Sequence, residues 1–185
     1  MTTFSDARSY ILAAFADSGL AIVPFQLVAD ALDVSRAAVE GQVRANKLEA
    51  IKIGRTRYVT LRSIRRQLED WENEVATVRA FLERAAKDGT LTLAYDPVMG
   101  VIGRKTSTPN DRTVIGKILG QISRESYKQH GFLLSSMVVQ KQTGEPSDAF
   151  YGLAGDIDPS ADDYDTWKEY HNAQLALIAA HYKPE

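Results

Sequence analysis

The residues of this sequence best suited to chemistry are basic side chains gathered between residues 35 and 66. Nine Lys or Arg and two Glu fall in that segment, although the 185-residue chain carries a formal net charge of −2. Lysine and arginine neutralise the phosphates of nucleic acid, and arginine also binds guanine through two hydrogen bonds. The segment therefore predicts contact with DNA.

Side chains of two kinds are expected in this segment, those that read bases and those that hold the backbone. Arg36 and Arg44 suit guanine or phosphate, and Glu40 can accept a hydrogen bond from a cytosine amine. Small residues, Ala37 and Gly41, would let a helix backbone approach the bases closely. The other polar side chains suit phosphate, which positions a protein without specifying a sequence. These predicted phosphate contacts are Ser35, Lys47, Lys52, Arg55 and Arg57.

Charge is unevenly distributed along the rest of the chain. Residues 76–145 contain ten basic and six acidic side chains, whereas residues 146–185 contain two basic and eight acidic ones. Such asymmetry is typical of proteins in which one part faces nucleic acid and another does not. Arg104 and Lys105, in a stretch rich in glycine, are predicted to add phosphate contacts from a basic loop.

The sequence contains no recognisable motif for covalent, metal or nucleotide chemistry. It has no Cys, which excludes disulfides, thiolate metal sites and a cysteine nucleophile. Its three His lack the spacing of a zinc site. Asp162, Asp163 and Asp165 lack the glycine and closing Glu of an EF-hand. Only two residues separate Gly100 from Gly103, which is too few for a phosphate-binding loop. We therefore expect no cofactor and no metal.

Three short helices and a hairpin are predicted to position the basic segment. Helices are expected over residues 6–17, 24–32 and 36–46, with Ser35 capping the third. Apolar and polar residues then alternate on both sides of Gly54, which predicts a β-hairpin. The order of helix, turn, helix and hairpin is that of a winged helix-turn-helix.

Residues 23–71 resemble the small winged helix of excisionases and MerR-type regulators. The resemblance lies chiefly in the Val34-Ser35-Arg36 start of the third helix, in the turn into the wing, NKLEAIKIGRTRYV, and in the helix that follows. In that family, the second helix of the pair enters the major groove and the hairpin wing contacts the backbone. The resemblance therefore implies double-stranded DNA as the partner, and a bacterial, phage or mobile-element setting.

A long helix is predicted from residue 61 to about residue 87, because neither proline nor glycine interrupts that segment. Its apolar residues alternate at spacings of four and three, which is a heptad pattern. Two interpretations stay open: a coiled coil that joins two subunits, as in MerR-type regulators, or an amphipathic helix packed on its own domain. The residues of this seam are Ile64, Leu68, Trp71, Val75, Val78 and Leu82.

The C-terminal half is predicted to be a small mixed α/β domain. Strands are expected at residues 90–96 and 132–141, and a helix at 112–130 is expected to be capped by Asp111 and ended by Gly131. The remaining expected elements are a loop at 98–111, a short helix at 147–154, an acidic linker at 156–165 and a final helix.

Part of this half, residues 114–123 followed by residues 133–144, resembles a helix and the following strand of DNA alkyltransferase-like proteins. The alkyl-accepting cysteine of that family is absent, so the resemblance implies DNA binding rather than alkyl transfer. Gly116 and Gly120 lie one turn apart in the helix, and both are predicted to allow close packing against a neighbouring element.

Together these patterns predict an α+β, mostly helical protein in three parts. A winged helix-turn-helix is expected at residues 1–60, a linking or dimerisation helix at 61–88, and a mixed α/β regulatory or accessory DNA-binding domain at 89–185. The expected function is sequence-specific transcriptional regulation, by repression because no activation surface is visible. A cytoplasmic location is expected, since the sequence shows neither a signal-peptide pattern nor an apolar run that would span a membrane.

Two alternatives to a dimeric repressor stay open. In one, a monomer uses both domains on an asymmetric DNA site. In the other, the winged helix targets a nucleic-acid-processing or defence enzyme, for which the residues to mutate are Asp96, His130 and Lys141.

Overall fold

The computed structural model describes residues 2–183, except for the side chains at positions 7–9, 12, 15 and 19. The chain is α+β and mostly helical, which confirms the predicted class. It divides into two compact units, residues 1–72 and 73–185, and the boundary lies within one long helix. Among the helices between residues 2 and 183, none combines the length and the apolar composition that crossing a membrane requires.

The predicted order of helix, turn, helix and hairpin is present in the first unit. The predicted and observed helix ends differ by no more than two residues. The elements are β1 (Thr2–Phe4), α1 (Ala7–Ala16), β2 (Ile22–Val23), α2 (Phe25–Ala31), α3 (Arg36–Arg44), β3 (Ala50–Ile53), β4 (Thr56–Thr60) and the start of α4 (Leu61–Lys87).

Local sequence explains how α3 begins and how the hairpin turns. The Ser35 hydroxyl accepts a hydrogen bond from the Ala38 backbone N–H at 3.1 Å, which confirms the predicted cap. Gly54 has a φ of 57°, a left-handed conformation that suits glycine between two antiparallel strands. Beneath these elements, Val28, Val39 and Val59 are fully buried in the core of the unit.

The hairpin belongs to a four-stranded sheet that the sequence did not predict. The strand order is β1-β3-β4-β2, with β1 parallel to β3 and β2 antiparallel to β4. Strands of two or three residues are too short to show an alternating pattern, so sequence periodicity could not reveal β1 or β2.

In the second unit, the predicted strands are shorter than expected and part of the predicted loop is helical. Besides most of α4, the unit contains β5 (Leu93–Ala94), α5 (Tyr95–Gly100), α6 (Pro109–His130), β6 (Val138–Val139), α7 (Asp148–Ile157) and α8 (Trp167–Tyr182), with 3₁₀ turns at Leu134–Met137 and Pro159–Asp163. Strands β5 and β6 pair in parallel. Gly131 ends α6 with a φ of 75°, as predicted.

Within the predicted strand at residues 132–141, Leu134–Met137 form a buried 3₁₀ turn, and side chains satisfy backbone groups there. The N–H of Leu133 donates to the Gln174 side-chain oxygen at 2.8 Å, and the N–H of Leu134 donates to the Ser126 hydroxyl at 3.0 Å. These bonds to side chains take the place of the backbone hydrogen bonds that a neighbouring strand would otherwise provide. The strand prediction was therefore wrong for all but two residues.

Asp111 does not cap α6, because that helix begins two residues earlier, at Pro109. Proline suits the first position of a helix, where no N–H is needed. Asp111 lies in the first turn, where it accepts hydrogen bonds from the backbone N–H of Lys105 at 3.2 Å and from Arg104 at 3.1 Å. The Lys105 bond, more than any other interaction, holds the pKa of Asp111 below its ordinary value.

The acidic segment at residues 156–165 is an anchored part of the second unit, not a linker. The Asp158 carboxylate is buried, and it accepts hydrogen bonds from the hydroxyls of Tyr127 at 3.1 Å and Tyr170 at 2.9 Å. Tyr170 is itself fully buried. Because α6 and α8 both hold the buried Asp158, this segment cannot act as a solvated connector.

Candidate nucleic-acid interface

Helix α3 presents its apolar side to the core and its polar side to solvent. Val39 is fully buried and Val43 is partly buried, so these two residues fix the rotation of the helix. On the outer side, Arg36, Ala37 and Arg44 are all exposed. Both arginines predicted to contact bases are therefore accessible.

The outer side of α3 combines an adjustable ion pair with open space. The Arg36 Nε lies 3.6 Å from Glu40 Oε1, and the two side chains are 63% and 38% exposed. Such exposed pairs contribute only about 0.3–0.5 kcal/mol, so either partner can exchange it for another hydrogen bond. A Cβ added at Gly41 would meet no atom within 4 Å beyond its chain neighbours and the backbone of its own helix. Packing within the chain therefore does not explain this glycine in mid-helix.

The hairpin concentrates positive charge on one side. Lys52 and Arg57 stand directly opposite each other in the β3–β4 register. Like charges in that arrangement destabilise a hairpin by about 0.2–1 kcal/mol unless an anion lies nearby. Arg55 follows Gly54 at the tip, and the Arg57 guanidinium lies 5.9 Å from the centre of the Phe25 ring. That contact steadies Arg57 against α2, and it was not foreseen from the sequence.

Most of the basic side chains on α3 and the hairpin have no internal counter-ion. Arg36 pairs with Glu40, but no carboxylate between residues 2 and 183 forms a salt bridge with the other five. These five cations are Arg44, Lys47, Lys52, Arg55 and Arg57. The surface therefore carries positive charge that an external anion can neutralise.

Of the two basic residues in the predicted loop of the second unit, only one is free to contact phosphate. Arg104 donates three hydrogen bonds to Glu74, at 2.8, 2.9 and 3.2 Å, and it also donates one to Asp111 at 3.1 Å. Both carboxylates would have to be released before Arg104 could bind phosphate, so the structure argues against this predicted contact. The Lys105 side chain is exposed and takes part in none of these pairs.

Most of the heptad seam on α4 is buried within a single chain. Ile64 is 4% exposed, and it belongs to the core of the first unit. Val75, Val78 and Leu82 are 3%, 0% and 0% exposed, so they are not free to contact a second chain. Outside this buried set, Leu68 is 39% exposed and Trp71 is half-buried. The pattern therefore matches the amphipathic helix and not the coiled coil that was the other interpretation.

The three residues considered for an enzyme do not form one site. Asp96 and Lys141 both line a pocket of the second unit. His130 is absent from that pocket; its ring stacks on Phe132, with the centroids 5.5 Å apart, and lies beside the ring of His181. Within the described part of the chain, no group of three or more His, Asp or Glu side chains is placed to hold a metal ion.

Comparison with known proteins gives no further guidance to this surface. No protein-family model, no curated protein and no solved structure matches the chain.

Proposed function

We propose that this protein is a sequence-specific regulator that binds double-stranded DNA through a winged helix-turn-helix in its first unit. The observation that carries the proposal is the set of mostly exposed cations on α3, the β3–β4 hairpin and the turn between them, most of which lack an internal counter-ion. Transcriptional repression follows if the bound protein occupies DNA that the transcription machinery needs.

In this proposal, α3 lies in the major groove, which is wide enough for a helix. Arg36 and Arg44 contact guanine, and Glu40 contacts a cytosine amine after leaving Arg36. Ala37 and Gly41 leave room for the helix backbone to approach the base edges. The helix is suited to this position because its buried Val39 leaves the entire polar side outward.

The hairpin contacts the phosphate backbone beside the groove. A phosphate near Lys52 and Arg57 would remove the repulsion between these directly opposite cations. Ser35, Lys47 and Arg55 supply further phosphate contacts, which set the register without reading sequence.

The burial of the α4 seam favours a monomer on an asymmetric DNA site over a coiled-coil dimer. Of the six seam residues, Ile64, Val75, Val78 and Leu82 have no free surface to offer a partner. Light scattering should give a mass near 20.5 kDa without DNA. A mass of twice that value, or a palindromic footprint, would restore the dimer.

The first experiment selects bound duplexes from a random pool and measures their affinity by fluorescence anisotropy. Arg36→Ala and Arg44→Ala should each cost about 1–3 kcal/mol on the selected duplex and relax its sequence preference. Lys168→Ala and Lys183→Ala remove exposed cations from the acidic C-terminal segment, and they should leave both unchanged.

The second experiment measures affinity against salt. Each phosphate contact contributes about −0.9 to the slope of log K against log salt. The double variant Lys52→Ala/Arg57→Ala should therefore flatten the slope by about 1.8, with equal loss on all sequences. No salt-dependent binding to any duplex, or equal slopes for this variant and for Lys168→Ala/Lys183→Ala, would refute DNA binding by this surface.

The third experiment separates recognition from stability at Gly41. Replacing it with Ala fills open space and removes the cost of glycine in a helix, so the unit should gain up to about 1 kcal/mol. If α3 approaches bases closely, the same change weakens DNA binding. Gly152→Ala in α7, where a Cβ would also meet nothing, is the matched control and should leave DNA binding unchanged.

A further inference from the structure

The second unit contains a pocket at the carboxyl ends of its two parallel strands. Tyr95 and Asp96 follow β5, Gln140 and Lys141 follow β6, and all four side chains line the pocket. Its volume is about 430 Å³, which falls in the range of about 300–1,000 Å³ of small-molecule sites.

Hydrogen bonds hold the walls of this pocket in place. The Arg112 guanidinium donates to the carbonyl oxygen of Thr106 at 3.0 Å, and the Thr106 hydroxyl donates to Asp96. On the other wall, the Tyr95 hydroxyl donates to the Ser147 hydroxyl at 3.2 Å. The site is therefore largely formed before any ligand enters, which lowers the entropic cost of binding.

The charge of the lining favours an anion. Two cationic side chains, Arg112 and Lys141, line the pocket with one carboxylate, Asp96, so the charges sum to +1. Between residues 2 and 183, neither cation forms a salt bridge with a carboxylate. Most of the remaining lining surface is apolar. It includes Met99 and Ile115, which are otherwise buried in the protein.

Gly116 keeps part of the pocket open. It lies within α6 and lines the pocket, and a Cβ added there would meet no atom within 4 Å beyond its chain neighbours and the backbone of its own helix. The neighbouring Gly120 differs, since its added Cβ would lie 3.9 Å from Leu153 of α7. Of the two glycines predicted to pack against a neighbour, only Gly120 does so, and Gly116 instead borders space that a ligand can fill.

We propose that this pocket binds a small organic anion, with one carboxylate or phosphate group on a flat or apolar body. Its anionic group would lie between Arg112 and Lys141, and its body would rest over Gly116 against Met99 and Ile115. This proposal concerns the second unit alone and does not depend on DNA binding by the first.

The test uses two fluorescent probes with nearly the same body. The first, 8-anilinonaphthalene-1-sulfonate, carries an anion, whereas the second, N-phenyl-1-naphthylamine, does not. The full chain should bind the anionic probe at one saturable site. Lys141→Gln and Arg112→Gln should each weaken the anionic probe about tenfold, as expected for the loss of one charge-assisted hydrogen bond, and should barely affect the neutral probe.

Gly116→Leu tests the position of the probe, and Gly152→Leu is its matched control. Both changes place a side chain on a helix where the protein leaves open space, so both variants should keep the wild-type circular dichroism and should melt no lower than the wild type. Gly116→Leu should reduce the binding of both probes at least tenfold, whereas Gly152→Leu should reduce neither.

Competition identifies the anion and completes the test. Displacement of the anionic probe by phenyl phosphate but not by benzoate assigns an organic phosphate, and the reverse assigns a carboxylate. The proposal is overturned if neither compound competes, if Gly116→Leu and Gly152→Leu behave alike, or if the charge variants weaken both probes equally.

Discussion

Replacing the buried carboxylate of Asp158 with an amide tests what holds the second unit together. The side chain is 2% exposed, and no cation pairs with it among the described residues. Its Oδ2 accepts hydrogen bonds from the Tyr170 hydroxyl at 2.9 Å and from Gln174 Nε2 at 3.3 Å. Its Oδ1 accepts from the Tyr127 hydroxyl at 3.1 Å, and from the N–H and hydroxyl of Ser160 at 3.0 and 2.7 Å.

Asp158→Asn keeps the shape of the side chain but leaves only one of its two acceptor atoms. If the new NH₂ replaces Oδ2, it faces two donors. Tyr170 can turn its hydroxyl to accept, but Gln174 cannot reverse its amide without losing the hydrogen bond that its Oε1 accepts from the Leu133 N–H at 2.8 Å. Hydrogen bonds to charged groups contribute about 1.5–3 kcal/mol each, and an unsatisfied buried donor costs about 1–3 kcal/mol. We therefore expect a loss of about 3 kcal/mol in the free energy of unfolding.

Urea unfolding followed by circular dichroism measures this loss. Asp162→Asn is the matched control, because Asp162 lies in the 3₁₀ turn that Asp158 caps and is exposed. Its effect should stay within about 0.5 kcal/mol, as is usual for surface positions. Equal stability of the two variants at neutral pH would show that the buried hydrogen bonds of Asp158 contribute nothing.

The loss of stability caused by Asp158→Asn is also expected to depend on pH. Burial alone raises the pKa of Asp158, but hydrogen bonds from Ser160, Tyr170 and Tyr127 outweigh it and hold the pKa below its ordinary value. A lowered pKa stabilises the folded state above the unfolded pKa of about 3.9, and this stabilisation is lost as the pH falls through the folded pKa. The difference between wild type and Asp158→Asn should therefore be constant near neutrality and shrink below about pH 4. A difference that grows on acidification would contradict the assigned sign.

Three further changes test single contacts by urea unfolding. Ser35→Ala removes the cap of α3 and should destabilise the first unit by about 1 kcal/mol; no change would mean that the hydroxyl does not cap. Arg104→Ala should destabilise the second unit because it leaves Glu74 and Asp111 without their shared partner, whereas Lys105→Ala should change stability by less than about 0.5 kcal/mol; equal effects would contradict the ion pairs. Leu82→Ala should lower the free energy of unfolding by about 2–5 kcal/mol because the side chain is fully buried. Leu68→Ala should lower it much less and leave the mass in solution unchanged. A larger loss for Leu68→Ala than for Leu82→Ala would indicate that α4 packs against a second chain.

Features that depend on neighbours in sequence could be predicted well. The cap at Ser35, the turn at Gly54 and the end of α6 at Gly131 each follow from the conformational preference of one residue. The extent of α4 follows from an uninterrupted run without proline or glycine. The cationic outer side of α3 follows from a helical period in which Val39 turns inward.

Features that join distant residues could not be predicted. Periodicity showed that the α4 seam is apolar, but not that its own chain buries Val78 and Leu82. Composition showed that residues 156–165 are acidic, but not that Asp158 would meet a tyrosine 31 residues earlier.

The sequence by itself thus determined the charge of the basic segment, the caps and turns of its helices and hairpin, and the length of α4, because these are properties of adjacent residues. Only the tertiary structure decided the burial of the seam, the pairing of Arg104 with a carboxylate 30 residues away and the pocket around Gly116. The physical reason is that a side chain's partner is chosen by the packing of whole elements, and many packings are compatible with the same local pattern.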